Sequence, residues 1–170
     1  MATLGETPDP IERGQFEAAA EAHRTTGAPI ITHCEGGEGG VGQVETFSDL
    51  GVPLRRVVLS HTDKVTDPAY HRDLLATGVR LEYDQALRHN GPEPNPTATL
   101  VALMVEEGHA DQLLLGTDAA RRTLWKTLDG SPGLAWLATG FAEILDGAGI
   151  DDVIRHQILV ANPAAWLDWG

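Results

Sequence analysis

His33, His61 and Asp118 each stand at the end of a short apolar run bounded by turn residues. The runs are Ala28-Pro29-Ile30-Ile31-Thr32-His33, Arg56-Val57-Val58-Leu59-Ser60-His61 and Gln112-Leu113-Leu114-Leu115-Gly116-Thr117-Asp118. Runs of this length, rich in β-branched and leucine residues, read as strands buried on both faces. Imidazole nitrogen and carboxylate oxygen are donors for zinc and related divalent cations. Three strands of a parallel sheet would deliver them to its C-terminal edge, where such folds build their active sites. The chemistry this suggests is metal-assisted hydrolysis. Two histidines and one aspartate are too few to complete such a site, and the rest of it is absent from the chain.

The elements that must position these residues alternate strictly. A helix over 11–26 precedes the first strand, 28–33, and a helix over 41–50 follows it. Strand 56–61 leads to a helix over about 67–77, and strand 79–84 leads through a Pro/Gly/Asn-rich loop, 85–96, to a helix over 97–108. Strand 112–118 leads through a second long loop to helices over 132–146 and 150–160. Four strand-helix units in alternation predict an α/β fold with a parallel sheet and right-handed crossovers. An eight-unit barrel takes about 250 residues, so 170 residues hold about half of one, as a single domain over 1–170. The loop Glu35-Gly36-Gly37-Glu38-Gly39-Gly40 lacks the Lys-Ser/Thr of a phosphate-cradling loop.

Twenty-five acidic against twelve basic residues give a formal charge of −13. That balance argues against nucleic acid or an anionic membrane as partner. Cys34 is the single cysteine, so no internal disulfide forms and a reducing compartment fits. No stretch reaches the roughly 18–20 apolar residues of a membrane span. The first residues lack the charged region and apolar run of a signal peptide, and the cytoplasm is the expected location.

In order along the chain, five segments resemble the phosphotriesterase-like metal hydrolases of the amidohydrolase superfamily. Thr25 to His33 resembles the family's fifth strand, and Val58-Leu59-Ser60-His61-Thr62-Asp63 its sixth. Gly78 to Asp84 is similar to the seventh, Leu113 to Asp118 to the eighth, and Val160-Ala161-Asn162-Pro163 to the start of the terminal helix. The resemblance implies a partial TIM (β/α)8 barrel, strands five to eight. It also implies two divalent ions, zinc by family habit, of which this chain alone would hold at most one well. His33 and His61 would bind the more exposed ion. Asp118 would bind the buried one and accept the proton of the attacking hydroxide. The implied substrate is a small ester or lactone.

The departures from the family pattern are equally specific. The chain has no His-x-His pair, and Lys64 and Lys126 fall outside the strand where the family carries a bridging lysine. Met1-Ala2-Thr3 resembles the residues immediately after that lysine. Gln85 follows Asp84 where organophosphate-hydrolysing members have histidine, and Lys64 replaces a relay carboxylate, so lactone or carboxylic ester is favoured over organophosphate. A catalytically incomplete half-barrel, binding metal weakly or serving only a structural or partner role, is the alternative. Arg88, or loop solvation instead, and Trp125 are candidates to touch substrate. Asp84 is a candidate to touch substrate, to steady a ligand histidine or to cap a turn. His23, His71 and His156 read as solvated or capping helix residues. Trp136 reads as packing, and Cys34 as a buried inert thiol. Open edges at 28–33 and 112–118, and a bare apolar inner face, predict self-association or pairing with a missing N-terminal half.

Overall fold

Several helices begin where the sequence supplies a side-chain acceptor. Asp9 accepts from Ile11 N and Glu12 N at 2.8 Å each, and Glu12 returns a bond to Asp9 N at 2.9 Å, closing a capping box. This starts α1 (Pro10–Thr26). Asp67 and Asn95 play the same part for α3 (Pro68–Ala76) and α4 (Pro96–Glu106), each with proline at the first helical position. The structure, a computed structural model, describes residues 1–89 and 94–169. Residues 90–93, part of the long loop expected after the third predicted strand, lie outside the described residues.

The strands are β1 (Ala2–Thr3), β2 (Ile30–Cys34), β3 (Val57–Ser60), β4 (Arg80–Tyr83) and β5 (Leu113–Leu115). They form one parallel sheet in the order β1-β2-β3-β4-β5. The four predicted strands are therefore parallel and adjacent in chain order. Register aligns Leu59 with Leu81 and Leu81 with Leu113. These leucines, with Val57 and Tyr83, pack under α1, α2 (Gly40–Asp49), α3 and α4 against Phe16, Phe47, Leu74 and Met104. Phe16 and Phe47 meet at 5.0 Å between ring centroids, the tilted contact aromatic pairs favour.

The opposite face corrects the expectation of a bare inner layer in part, since Ile31, paired with Val58 in that layer, stays exposed. Val58 and Leu114 point away from the helices by strand alternation, and Trp166 of α7 (Asn162–Leu167) covers them in a second buried cluster. Trp166 Nε1 donates to Arg56 O at 3.2 Å. The Arg56 guanidinium donates to Gly27 O at 3.0 Å and Asp168 O at 3.3 Å. Asn162 Nδ2 donates to Ala110 O and Leu113 O, both at 2.7 Å, which docks α7 on β5. The expected open edge at 28–33 also needs correction, because β1 pairs Ala2 with His33 and Thr3 with Cys34. Only the first part of β2 stays unpaired on that side, and Ile31 is exposed there.

Two further expectations change. The helix expected over 132–146 is a 3-10 stretch, Leu134–Ala138, and then α5 (Gly140–Gly147). The chain breaks at Thr139, whose φ of −123° and ψ of −90° are not helical. Gly140 lies directly on the Trp136 ring, where a Cβ would collide with the indole. The helix expected over 150–160 is α6 (Asp152–His156) and a π turn, Gln157–Ala161, running into α7. His71, read as solvated or capping, is fully buried. Its Nε2 donates to Val65 O at 2.8 Å, and its Nδ1 accepts from Tyr83 OH at 2.9 Å.

Candidate metal centre

Because the sheet is parallel, β2 to β5 all end on one edge, and each contributes one of the residues singled out above. His33 lies in β2, opposite Ser60 of β3. His61 follows β3 with φ 68°, and Asp118 follows β5 with φ 35°. Side chains other than glycine rarely adopt this left-handed region, and strain of this kind collects at functional sites. Gly37, in the loop after β2, passes so close to His61 that a Cβ there would lie 2.9 Å from its carbonyl oxygen and 2.9 Å from Lys64 Cβ. Tyr70 OH donates to Gly37 O at 3.0 Å and holds that loop in place.

His61 Nδ1 lies 2.6 Å from Asp84 Oδ2 and 3.9 Å from Asp118 Oδ2. One donor atom from each of the three residues falls within 4.8 Å of the others. The His61 and Asp84 side chains are 13% and 3% exposed, and Asp118 is 16% exposed. The Asp84 carboxylate raises the pKa of His61 above the ordinary imidazole range, against the opposing effect of burial. Arg88 donates to Asp118 Oδ2 and, at 3.3 Å, to Asp118 O. Gln85 Nε2 donates to Asp84 Oδ1 and, at 3.3 Å, to Asp118 Oδ2. Beneath the cluster, Ser60 Oγ donates to Glu82 Oε2 at 2.5 Å, and burial pushes the Glu82 carboxyl up. Burial likewise raises Asp63, which accepts from Thr97 Oγ1 and from the backbone of Asp84 and Gln85.

A divalent cation fits this donor set. His61 Nδ1 is buried and makes no in-line hydrogen bond, although a carboxylate oxygen stands 2.6 Å away. The His61 ring and the Asp84 and Asp118 carboxylates stand close enough together for one cation to share a donor atom from each. One imidazole and two carboxylates supply the three protein donors usual for a catalytic zinc, with a position left open.

His61 and Asp118 are thus brought together, and Asp84 joins them as a donor. His33 stands edge-on to His61, with ring centroids 4.4 Å apart, but its Nε2 faces Glu35 Oε2 at 2.8 Å and lies outside the three-donor cluster. Arg88 pairs with Asp118 instead of being solvated. Trp125 sits apart, its Nε1 donating to Ala119 O at 2.7 Å, and walls a hollow of about 340 Å³ with Lys126, Thr127, Gly133, Leu134 and Ala135. Glu82 and the roles of Gln85 and Asp63 were missed from the sequence. The alternation Arg80, Glu82, Asp84 along β4 was the available signal for the first, since residues two apart share a face.

A profile of the phosphotriesterase family matches residues 3–167. The phosphotriesterase homology protein of Mycobacterium tuberculosis is 40% identical over 116 residues, covering 68% of this chain and 35% of that protein. Human N-acetyltaurine hydrolase is 27% identical over 168 residues, covering 92% of this chain and 48% of that protein. The crystal structure of a lactonase from Listeria monocytogenes superimposes with a TM-score of 0.92 at 27% identity, covering all of this chain and 53% of that one. The chain therefore spans between about a third and just over half the length of these relatives, and its sheet is part of a TIM barrel. With the family's profile running through nearly all of its length, the chain belongs to the phosphotriesterase family.

Proposed function

We propose that residues 1–170 form one domain that supplies the C-terminal half of a metal-dependent hydrolase site for small esters or lactones. The observation that carries this is the convergence of His61, Asp84 and Asp118 at the C-terminal sheet edge, with a buried ring nitrogen left without an in-line partner. His61, Asp84 and Asp118 would hold the ion, zinc by its donor chemistry, and His33 would join on the more exposed side. When bound, such an ion polarises a carbonyl and makes water acidic enough to attack near neutral pH. Asp84 is the most buried of the three and lies 2.6 Å from His61 Nδ1. Asp118, on the open side, accepts the proton of the attacking water. Arg88 pairs with Asp118 and offers its guanidinium to charge that develops on the substrate.

Further donors would come from an N-terminal half or a second copy of the chain, and β5 and the unpaired part of β2 leave edges on which either can add strands. Titration of the purified chain with Zn2+ tests the reading, together with hydrolysis of a δ-lactone, an aryl acetate and an aryl phosphotriester. One ion bound, lost in Asp118→Asn, with lactone or acetate preferred over phosphotriester, supports it. No metal and no hydrolysis at any protein concentration favours a half-barrel with a structural or partner role. Cleavage of an N-acyl amide is a second reading, supported by the likeness to N-acetyltaurine hydrolase over 92% of the chain.

A further inference from the structure

Asp63 lies outside the donor cluster, yet its carboxylate touches the chain segments that carry two of the donors. It is 1% exposed. Oδ1 accepts from Asp84 N at 3.1 Å, and Oδ2 accepts from Gln85 N at 2.9 Å and Thr97 Oγ1 at 2.7 Å. Asp63 itself sits in the 3-10 turn Thr62–Lys64, which the left-handed His61 opens. One buried anion therefore ties the backbone bearing His61 to the backbone bearing Asp84, and both to the first turn of α4. A neutral amide of the same shape would not do this. It accepts on one oxygen only and would turn an NH2 toward donors. Burying a carboxylate is costly until hydrogen bonds offset it, so two oxygens engaged by the site's own backbone and by Thr97 mark a built feature.

We propose that Asp63 is a positioning residue of the centre: its carboxylate sets the approach of Asp84 to His61 and through it the affinity for a divalent cation. This rests on reading the cluster as a cation site. Groups that orient metal ligands from outside typically change affinity by about 10–100-fold when replaced. Thr97 provides the control, because Thr97→Val removes one bond to Asp63 and leaves both backbone bonds in place.

The test is Co2+ titration of the whole chain, followed by its visible spectrum and by chemical unfolding. Asp63→Asn is expected to weaken Co2+ by about tenfold or more and to change the spectrum. Thr97→Val is expected to lower the unfolding midpoint while holding Co2+ within about twofold. Asp63→Asn binding Co2+ like the wild type overturns the proposal, as do two variants whose affinities fall only in step with their stability. If Asp63→Asn does not fold, amide exchange in the wild type decides. Saturating Zn2+ should slow exchange at Asp84 and Gln85 more than at Leu81 or Met104, because coupling between sites is reciprocal, and no difference overturns the proposal. A wild type that binds no cation sinks the metal reading itself and Asp63's role with it.

Discussion

The two faces of the sheet use the same strands for different work. On the helix side, Val57, Leu59, Leu81, Tyr83 and Leu113 are all 0% exposed and form an apolar layer with the helices. On the inner side the composition changes along the strands. Val58 and Leu114 lie under Trp166, and nearer the C-terminal edge come Ser60, Glu82, His33 and the cluster. Period-two alternation makes this division possible, since each strand packs on one face and keeps the other for polar groups. Gly116 shows how closely the inner face is fitted, because a Cβ there would run into the Glu82 carboxylate. Stability should therefore follow the helix-side face and cation affinity the inner one.

The strongest test of that division is Phe47→Ala. It empties a fully buried site on the helix side and should cost about 3–5 kcal/mol in chemical unfolding. Cation binding by the folded fraction should stay as it was, and a parallel loss of affinity would break the comparison. Next comes Asp118→Asn, which should weaken Zn2+ by more than about 100-fold in calorimetry, beyond what outer-shell changes cost. It should move the unfolding midpoint far less than Phe47→Ala does.

A smaller effect separates two histidines by pH in the metal-free chain. Burial lowers the pKa of His71 below its ordinary value. Its contribution to stability is thus complete above about pH 6.5 and is lost as pH falls below it, where the unfolded chain takes up a proton that the folded one refuses. Asp84 raises the pKa of His61. That contribution is complete below about pH 6.5 and is lost as pH rises through the folded value. Unfolding followed from pH 5 to 8 should show His71→Phe removing stability at the alkaline end and His61→Phe at the acid end. The same sign for both would sink the assignment. Smallest of all, the Cys34 thiol is fully buried and pushed up to about 12. Ellman's reagent should not label it in the native chain and should label it fully on unfolding.

Much of this was legible in the sequence because it rests on short-range chemistry. The strand runs and the order of units are local patterns, and the structure follows them. Strand ends delivered His61 and Asp118 to one edge, as parallel pairing requires. Other features depended on contacts that no local pattern encodes. The two-residue β1 is too short to show periodicity. Trp166 covers Val58 and Leu114 by returning from the far end of the chain, and Trp136 folds onto Gly140 beside the break at Thr139. Asp84 comes within 2.6 Å of His61 Nδ1 at a turn where His61 has a positive φ, which spacing in the sequence does not show. The choice of His33 between the cluster and Glu35 is likewise a matter of side-chain direction and not of spacing.

The contact between Trp166 and Arg56 lies at the start of β3, at the other end of the strands from the cluster. Trp166 is 8% exposed, whereas Trp125 and Trp169 are 42% and 46% exposed. Its indole should therefore fluoresce to the blue of those two, giving the molecule a built-in optical gauge of whether its lower end is closed. Trp125 is only seven residues beyond Asp118 and reports on the upper end. Keeping only Trp166 or only Trp125, with the other three tryptophans replaced by phenylalanine, yields two single-ended reporters, so that loosening caused by heat, denaturant or a partner can be assigned to one end of the strands.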